Sequence, residues 1–485
     1  MYKLFPIAHI LGLTLMLFSL TYLLPIGTAA YYSDGTLTEF TESMAISFFI
    51  GLTLWLGTRR YRRELKPRDG FALVVLLWTG MAAVATFPLL KTIPGLSFTD
   101  AYFETISGIT TTGSTVLSGL DRLPPAINLW RGELVWLGGM GLIVLAVAIL
   151  PLLGVGGMQI YKAETPGPMK DTKLTPRITE TAKGLWLVYF GITVACSLAY
   201  WAAGMTPFDA VMHAFSTMGL GGFSSHDASF GYFDSPSIEL VSILFMLIAG
   251  VNFATHFLAL RRLTFSPYRD DLEARWFWLV TLVSVVGLAL FLWRHQVYPD
   301  YLTALRYAAF NTVSIATSTG FSNTDFNLWP IFAPLWMLFL SSFASSSGST
   351  GGGIKMIRAQ LLIMQALREF SKLIHPRAML PVKIGHRLVA NQVIYAVLAF
   401  FFLYIGNLAL LTMLLAASGL DIVTAFSAVV ASINNTGPGL NQVGPAVTYA
   451  VLTDFQTWVC IYAMLIGRLE LFTFLILLTP GFWKK

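Results

Sequence analysis

Long apolar stretches recur along the whole 485-residue chain and constrain its fold more than any other feature. A bilayer core about 30 Å thick takes about 20 apolar residues to cross as a helix. Hydrophobic residues make up 55% of the chain and charged residues only 12%, against about 25% charged residues in soluble domains. Much of the exterior is therefore expected to face lipid. We predict ten helices that cross the membrane in whole or in part: 5–25, 42–58, 70–90, 133–160, 184–204, 237–260, 276–293, 329–345, 388–417 and 447–479.

The basic residues indicate how these helices are oriented. Most of the 31 Lys and Arg residues fall near the N-terminus, in 59–68, 162–183, 261–275 and 355–387, and at the C-terminus. All these segments lie on one side of a ten-helix protein, and an excess of Lys and Arg marks the cytoplasmic side of a membrane. We therefore expect both termini in the cytoplasm. The net charge of +6 is interpreted as a topology signal, and no nucleic-acid partner is expected.

Four short segments on the opposite side form an internal repeat, each with thirteen residues that end in glycine. They are AYFETISGITTTG (101–113), PFDAVMHAFSTMG (207–219), AAFNTVSIATSTG (308–320) and AFSAVVASINNTG (425–437). Each is too polar to cross a bilayer and too short. The predicted fold is an all-α membrane protein with four helix–pore-loop–helix repeats in pseudo-fourfold symmetry. The repeats are assigned to 67–165, 183–262, 275–370 and 388–485, and residues 1–66 form two extra N-terminal transmembrane helices.

The glycine turn that ends each segment suits the coordination of a cation. Irregular backbone at membrane depth must be buried in protein or line a wet path. Four turns around one axis would present carbonyl oxygens that can replace the hydration shell of a monovalent cation. The alternative is that the turns are helix caps without ion contact. The candidate cation-binding residues are Thr110, Thr111, Thr112, Gly113, Thr217, Met218, Gly219, Ser318, Thr319, Gly320, Asn435, Thr436 and Gly437.

The run SSFASSSGSTGGGIK at 341–355 interrupts the second helix of the third repeat. Its small residues indicate a flexible loop inside the membrane, directly below the glycine turns. We predict that 341–353 is a gate, and the alternative is a kinked helix whose small residues allow close helix packing. The candidate gate residues are Ser345, Ser346, Ser347, Gly348, Ser349, Thr350, Gly351, Gly352 and Gly353.

Arg468 is the second gate candidate, because it lies well inside the last predicted span. A charge within a membrane is expensive and usually faces a pore or a partner. We expect Arg468 below the glycine turns or beside the 341–353 loop. The alternative is an interhelical salt bridge of structural use, although Glu470 is not its obvious partner.

These motifs resemble those of the TrkH/KtrB potassium transporters. The match rests on TTTGST at 110–115, STMGLGGFS at 216–224, ATSTGFS at 316–322 and NNTGPG at 434–439, with the serine–glycine run at 345–353 and Arg468. The two leading helices are similar to those of the TrkH branch. The resemblance implies a homodimer in a bacterial inner membrane, with one pore per subunit. It also implies a cytoplasmic nucleotide-binding regulatory subunit of the TrkA type.

The resemblance favours potassium as the bound metal ion, because Gly113 stands where related sodium carriers have serine. The turns depart from the glycine–tyrosine–glycine pattern of tetrameric potassium channels, so rubidium and some sodium are expected to pass. The expected function is potassium uptake down its electrochemical gradient through a gated, channel-like pore. Two alternatives remain, a potassium symporter coupled to sodium or protons and a membrane enzyme or scaffold. No enzyme signature is present: GSTGGGIK lacks the P-loop spacing, and no organic cofactor is expected.

Overall fold

The computed structural model describes residues 4–144 and 178–484, apart from residues 62, 64, 379 and 386. The regular secondary structure of the described chain is helical except for one small hairpin, in which β1 (Lys383–Ile384) pairs antiparallel with β2 (Arg387–Leu388). Short 3-10 turns connect several helices. The helices are α1 (Phe5–Phe18), α2 (Leu23–Tyr32), α3 (Leu37–Thr58), α4 (Pro67–Thr92), α5 (Phe98–Ile109), α6 (Pro125–Val144), α7 (Ile178–Ala202), α8 (Pro207–Gly219), α9 (Pro236–Ala249), α10 (Phe253–Arg262), α11 (Ser266–Asp270), α12 (Leu272–Arg294), α13 (Tyr301–Ala316), α14 (Phe332–Phe343), α15 (Met356–Ile374), α16 (Asn391–Ala417), α17 (Ile422–Ile433), α18 (Asp454–Arg468), α19 (Leu471–Leu475) and α20 (Pro480–Trp483).

The long helices agree with the predicted membrane protein. Within the described ranges, six helices are long and apolar enough to cross a membrane, and two bent helix pairs raise the total to eight. The span predicted at 329–345 corresponds to the shorter apolar helix α14. The span predicted at 133–160 is described as α6 only as far as Val144. The rest of that span and most of the basic segment at 162–183 lie outside the described residues.

Two predicted spans are broken rather than continuous. Helices α9 and α10 meet at 94°, and α18 meets the segment that begins with α19 at 115°. Asn252 caps α10 and accepts a hydrogen bond from the amide of Ala254 at 2.9 Å. Glu470 has a φ of 60° immediately before α19. The spans predicted at 237–260 and 447–479 therefore each contain a break, which an apolar run does not indicate because it does not register a cap or a turn.

Four half-helices, α5, α8, α13 and α17, begin in the same way. At each N-cap a side-chain oxygen accepts the amide three residues later: Ser97 from Asp100 at 3.0 Å, Thr206 from Asp209 at 3.1 Å, Asp300 from Thr303 at 2.9 Å and Asp421 from Thr424 at 3.0 Å. Ser, Thr and Asp are favoured at this position because they satisfy an amide that the helix leaves unpaired. This shared cap fixes the start of each half-helix, and each C-terminal end leads into one of the glycine turns.

The N-terminal helices are packed against the helices that flank the first half-helix. The ring of Tyr22 stacks on Trp130 of α6, with 4.5 Å between ring centroids. The Tyr22 hydroxyl donates to the carbonyl oxygen of Val84 in α4 at 2.8 Å. Because Trp130 and Tyr22 are both fully buried, this contact fixes the turn between α1 and α2 against α4 and α6, which lie on either side of α5 in the chain.

Candidate filter and gate site

Each half-helix leads into a turn of the same backbone shape, and we call these turns the filter segments. They are Thr110–Gly113, Gly219–Gly222, Thr317–Gly320 and Asn434–Gly437. The second residue of each has a left-handed φ: Thr111 57°, Leu220 53°, Ser318 59° and Asn435 51°. The fourth residue is a glycine with positive φ: Gly113 82°, Gly222 63°, Gly320 89° and Gly437 100°. Glycine adopts these angles without the steric penalty that a side chain adds.

The same backbone hydrogen bond recurs in each turn. The amide of the third residue donates to the carbonyl oxygen five residues earlier: Thr112 to Ser107 at 2.8 Å, Gly221 to Ser216 at 3.0 Å, Thr319 to Ser314 at 2.8 Å and Thr436 to Ala431 at 2.8 Å. The same bond in all four places shows which residues are equivalent between the repeats. The carbonyl groups that would otherwise continue the helix are thereby released from helical pairing.

The second filter segment lies three residues later than the sequence analysis predicted. Gly219 is the last residue of α8, and a Cβ added to it would lie 2.6 Å from the backbone of Val135 in α6. Gly222, not Gly219, is equivalent to Gly113. The signal that identifies it is in the sequence, because Gly222-Phe223-Ser224 repeats Gly320-Phe321-Ser322. Matching the lengths of the four segments misplaced the turn.

Thr217 and Met218 accordingly do not belong to the turn. Both lie in the last turn of α8, where the Thr217 hydroxyl is hydrogen-bonded to the Tyr200 hydroxyl at 2.7 Å. The carbonyl oxygen of Met218 accepts a hydrogen bond from Thr350 at 2.9 Å. Sequence reasoning missed Leu220, Gly221 and Gly222, which take the places of Thr111, Thr112 and Gly113.

The four filter segments contact one another in a closed cycle. A Cβ added to the glycine of one segment would crowd a carbonyl oxygen of the next: Gly113 at Gly221, Gly222 at Thr319, Gly320 at Thr436 and Gly437 at Thr112. The order therefore runs from the first segment to the second, third and fourth, and back to the first. Glycine is needed at these positions on two grounds, the backbone angle and the close approach of the neighbouring segment.

The third residue of each filter segment carries a buried carbonyl group without a hydrogen-bond donor. In the described parts of the chain, no donor reaches the carbonyl oxygens of Thr112, Gly221, Thr319 and Thr436. All four residues are buried. Buried carbonyl groups are nearly always paired, because an unpaired one costs about 1–3 kcal/mol. Four such oxygens, one from each member of a closed cycle, form a candidate binding site for a cation.

Hydrogen bonds between side chains stabilise the filter segments. The hydroxyls of Thr110 and Thr112 are hydrogen-bonded at 2.8 Å, and the equivalent Thr317 and Thr319 are hydrogen-bonded at 2.7 Å. The amide group of Asn435 donates to the Thr112 hydroxyl at 2.9 Å, which joins the fourth segment to the first. These four threonine hydroxyls are thus engaged within the protein, and the third-residue carbonyl oxygens have no donor among the described residues.

A buried ion pair supports the first filter segment. Arg131 Nε lies 2.8 Å from Glu104 Oε1, and both side chains are 1% exposed. Glu104 also accepts the amide of Val116 at 3.0 Å and the Thr115 hydroxyl at 2.9 Å. The equivalent residue in the second repeat, His213, is hydrogen-bonded to Ser224 at 2.9 Å. In both repeats a polar half-helix residue therefore holds the chain that follows the filter segment.

The residues between α14 and α15, 344–355, form the serine–glycine loop. The helix continues through Phe343, so the loop begins three residues later than the predicted gate. Its backbone is not helical, which excludes the alternative of a kinked helix. The Thr350 hydroxyl donates to the Met218 carbonyl oxygen at 2.9 Å, and the amide of Gly352 donates to the Ser318 hydroxyl at 2.7 Å.

The serine–glycine loop thus lies directly against the filter segments and the ends of the half-helices. A Cβ added to Gly351 would lie 2.9 Å from the Thr317 carbonyl oxygen. A Cβ added to Gly352 would overlap the Asn434 carbonyl oxygen. The loop also contacts the break between α9 and α10: the amide of Ser346 donates to Gly250 at 3.0 Å. Small residues are required because larger ones would not fit between these surfaces.

Arg468 joins the serine–glycine loop to the first repeat. It ends α18 and is only 6% exposed. One guanidinium nitrogen donates to the carbonyl oxygen of Thr350 at 2.7 Å, and another donates to that of Gly138 in α6 at 2.8 Å. Among the described residues no carboxylate pairs with Arg468, because Glu470 pairs with Arg358 at 2.8 Å. The geometry therefore favours the expected contact with the loop over a structural salt bridge.

Comparison with known proteins identifies the family. The family model described as "TrkH: Cation transport protein" matches residues 36–484. The chain belongs to the TrkH family of cation transport proteins. It is 48% identical to the Trk system potassium uptake protein TrkH of Vibrio parahaemolyticus, over 99% of both chains. It is 46% identical to the protein of that name from Escherichia coli, over 99% of both chains.

A solved member of the TrkH family has the same fold. The crystal structure of the potassium transporter TrkH from Vibrio parahaemolyticus superposes with a TM-score of 0.90 at 46% identity, over 99% of this chain and 100% of that chain. The predicted family and the predicted all-α membrane fold are confirmed. Membership of a TrkH transport family also confirms that the chain is a membrane transporter and not an enzyme.

His226 lies in the loop that follows the second filter segment and contacts two carboxylates. Its Nδ1 is 2.5 Å from Asp121 Oδ1, and its Nε2 is 3.3 Å from Asp209 Oδ1. Burial lowers the pKa of His226, but the neighbouring carboxylates of Asp209 and Asp121 outweigh burial and raise it above the ordinary value of 6.5. The cationic ring therefore joins the loops that follow the first and second filter segments.

We predict that this contact makes the thermal stability depend on pH. Because the folded-state pKa of His226 is raised, its contribution is complete below pH 6.5 and is lost as the pH rises through the folded-state pKa. The unfolding temperature of the solubilised protein should fall over that range, and His226→Gln should remove this part of the decrease. The exposed His295 provides a control, His295→Gln, which should keep it. An unaltered pH profile in His226→Gln would contradict the assignment.

Proposed function

We propose that this protein takes up potassium through a gated, channel-like pore that the four filter segments form. The observation that carries the proposal is the cycle of buried carbonyl oxygens from Thr112, Gly221, Thr319 and Thr436, none of which has a donor among the described residues. Carbonyl oxygens arranged in this way replace the hydration shell of a monovalent cation. The relatives from Vibrio parahaemolyticus and Escherichia coli carry the name potassium uptake protein, which supports potassium as the substrate.

The electrostatics of the site favour a monovalent cation. The filter segments contain no Asp or Glu, so the site offers dipoles rather than formal charges. The four half-helices end at the filter segments, and a helix C-terminus carries a partial negative charge that stabilises a nearby cation. Because the selectivity rests on backbone geometry without the tyrosine-containing channel motif, we expect rubidium and some sodium to pass.

The serine–glycine loop and Arg468 form the proposed gate of this pore. The loop contacts the second and third repeats through Met218 and Ser318, and Arg468 extends the contact to Gly138 of the first repeat. A guanidinium group below the filter segments repels a cation that leaves them. Opening therefore requires the loop to leave the filter segments and Arg468 to release Thr350.

The membrane, the orientation and the partners that we propose rest on the basic segments and on the family. We place the protein in a bacterial inner membrane as a homodimer, with both termini and the basic segments at 59–68 and 355–387 in the cytoplasm. A TrkA-like nucleotide-binding subunit on that side would act on the gate. Coupling of potassium to sodium or protons is the alternative, and it predicts that flux into liposomes requires the second ion.

A substitution in the second filter segment tests the pore. Gly222→Ala should reduce potassium uptake by at least about tenfold, because the methyl group would overlap the Thr319 carbonyl oxygen and occupy a backbone angle that disfavours side chains. Uptake is measured as rubidium entry into bacteria that lack their own potassium uptake systems, after expression in the membrane has been matched.

Gly231→Ala is the control for this test. Gly231 lies in the loop that follows the same filter segment, and a Cβ added there would lie no closer than 3.4 Å to another atom. It should transport like the wild type. Wild-type uptake by Gly222→Ala would contradict the placement of Gly222 in the pore.

A second pair of variants tests the gate. Both Arg468→Ala and deletion of residues 346–352 should raise rubidium flux into liposomes in the absence of any regulatory subunit. For Arg468→Ala we expect a rise of at least about tenfold, because its hydrogen bond to the loop contributes about 1.5–3 kcal/mol. The exposed Arg294 provides the control Arg294→Ala. Flux that stays the same or decreases in both gate variants would argue against the loop as the gate.

A further inference from the structure

Glu273 makes an unusual contact with the serine–glycine loop. It lies in the first turn of α12, and its Oε1 accepts the amide of Ser347 at 2.6 Å and the amide of Ile357 at 3.1 Å. The residue is 9% exposed, so the carboxylate is shielded from water. Hydrogen bonds from amides to a charged acceptor are among the stronger ones in proteins. One oxygen atom therefore joins the beginning of the loop to the helix that follows it.

The position of Glu273 leaves it available for this contact. An acidic residue in the first helical turn ordinarily satisfies unpaired amides of its own helix. In α12 that task falls to the N-cap Asp271, whose Oδ1 accepts the amide of Ala274 at 3.1 Å. Asp271 is itself held by the Thr255 hydroxyl at 2.7 Å. Glu273 can therefore reach across to the loop without uncapping its helix.

The two amides bound by Glu273 bracket the part of the loop that touches the filter segments. Thr350 and Gly352, which contact Met218 and Ser318, lie between Ser347 and Ile357. Basic side chains bind carbonyl groups in the same part of the loop. Arg468 donates to the Thr350 carbonyl oxygen, and Lys355 donates to the Gly351 carbonyl oxygen. Backbone groups of the loop are thus held by one buried acidic side chain and two buried basic side chains.

We infer that Glu273 is a latch that holds the serine–glycine loop closed beneath the filter segments. This inference rests on the proposed gate and assigns a positioning role to a residue outside the loop and outside the pore. The loop cannot leave the filter segments as a unit while the amides of Ser347 in the loop and Ile357 in α15 both remain on one carboxylate. Opening therefore requires Glu273 to release them, or α12 to move with the loop.

Flux measurements test the latch in the full-length protein. Glu273→Gln keeps the shape of the side chain but removes its charge, and it should raise rubidium flux into liposomes about tenfold, which corresponds to about 1.4 kcal/mol. Glu273→Ala removes the acceptor and should raise flux further. Asp270→Asn is the matched control, because it removes an exposed carboxylate three residues away and should leave flux unchanged.

A combination with the loop deletion shows whether Glu273 acts through the loop. In a protein that lacks residues 346–352, Glu273→Gln should have no further effect on flux, and a further rise would overturn the latch. If the deletion alone fails to raise flux, the proposed gate fails together with the latch. If the deletion raises flux but Glu273→Gln and Glu273→Ala do not, the gate is retained and the latch is rejected.

Cysteine labelling provides a readout that does not depend on conduction. Ser349→Cys places a thiol in the buried loop, and the native Cys196 and Cys460 are both buried and give little background. A water-soluble maleimide should label Ser349→Cys faster when Glu273→Gln is also present, because the released loop becomes accessible. Equal labelling rates with and without Glu273→Gln would overturn the latch, even if the variant did not conduct.

Discussion

The unpaired carbonyl oxygens of the four filter segments are the constraint on which the rest of the structure depends. A membrane interior offers no water to such groups, so irregular backbone is tolerated there only when protein or a wet path surrounds it. The half-helices, their shared N-caps and the hydroxyl pairs behind the turns all serve to hold these oxygens in one closed cycle. The positive-φ glycines are where this requirement is most visible, because each one lies against the carbonyl of its neighbour.

The second organising feature is the use of buried charge around the serine–glycine loop. A loop rich in glycine and serine has little packing energy of its own, so its position depends on hydrogen bonds with fixed partners. Arg468 and the loop's own last residue, Lys355, bind its carbonyl oxygens, and Glu273 binds its Ser347 amide. Arg358, in the first turn of α15, pairs with Glu470 at the break between α18 and α19. A movement of the loop would therefore be transmitted to α12 and to the last helix.

The sequence predicted much of this architecture because its strongest signals are local. Apolar runs gave the helices, and the recurrent glycine gave three of the four filter segments. The second segment lies three residues beyond its predicted position, because the Gly222-Phe223-Ser224 match, and not equal segment length, marks the turn. The sequence prediction also missed both helix breaks, which depend on Asn252 as a cap and on the backbone angle at Glu470. The contact between Glu273 and the loop joins residues 74 positions apart, and no local pattern indicates it.

The most direct test of the account is to locate the ion itself. Crystals grown in rubidium should give an anomalous peak on the axis between the filter segments, within coordination distance of the carbonyl oxygens of Thr112, Gly221, Thr319 and Thr436. A peak held by carboxylates elsewhere would contradict the account. So would the absence of any peak between the filter segments in crystals saturated with rubidium.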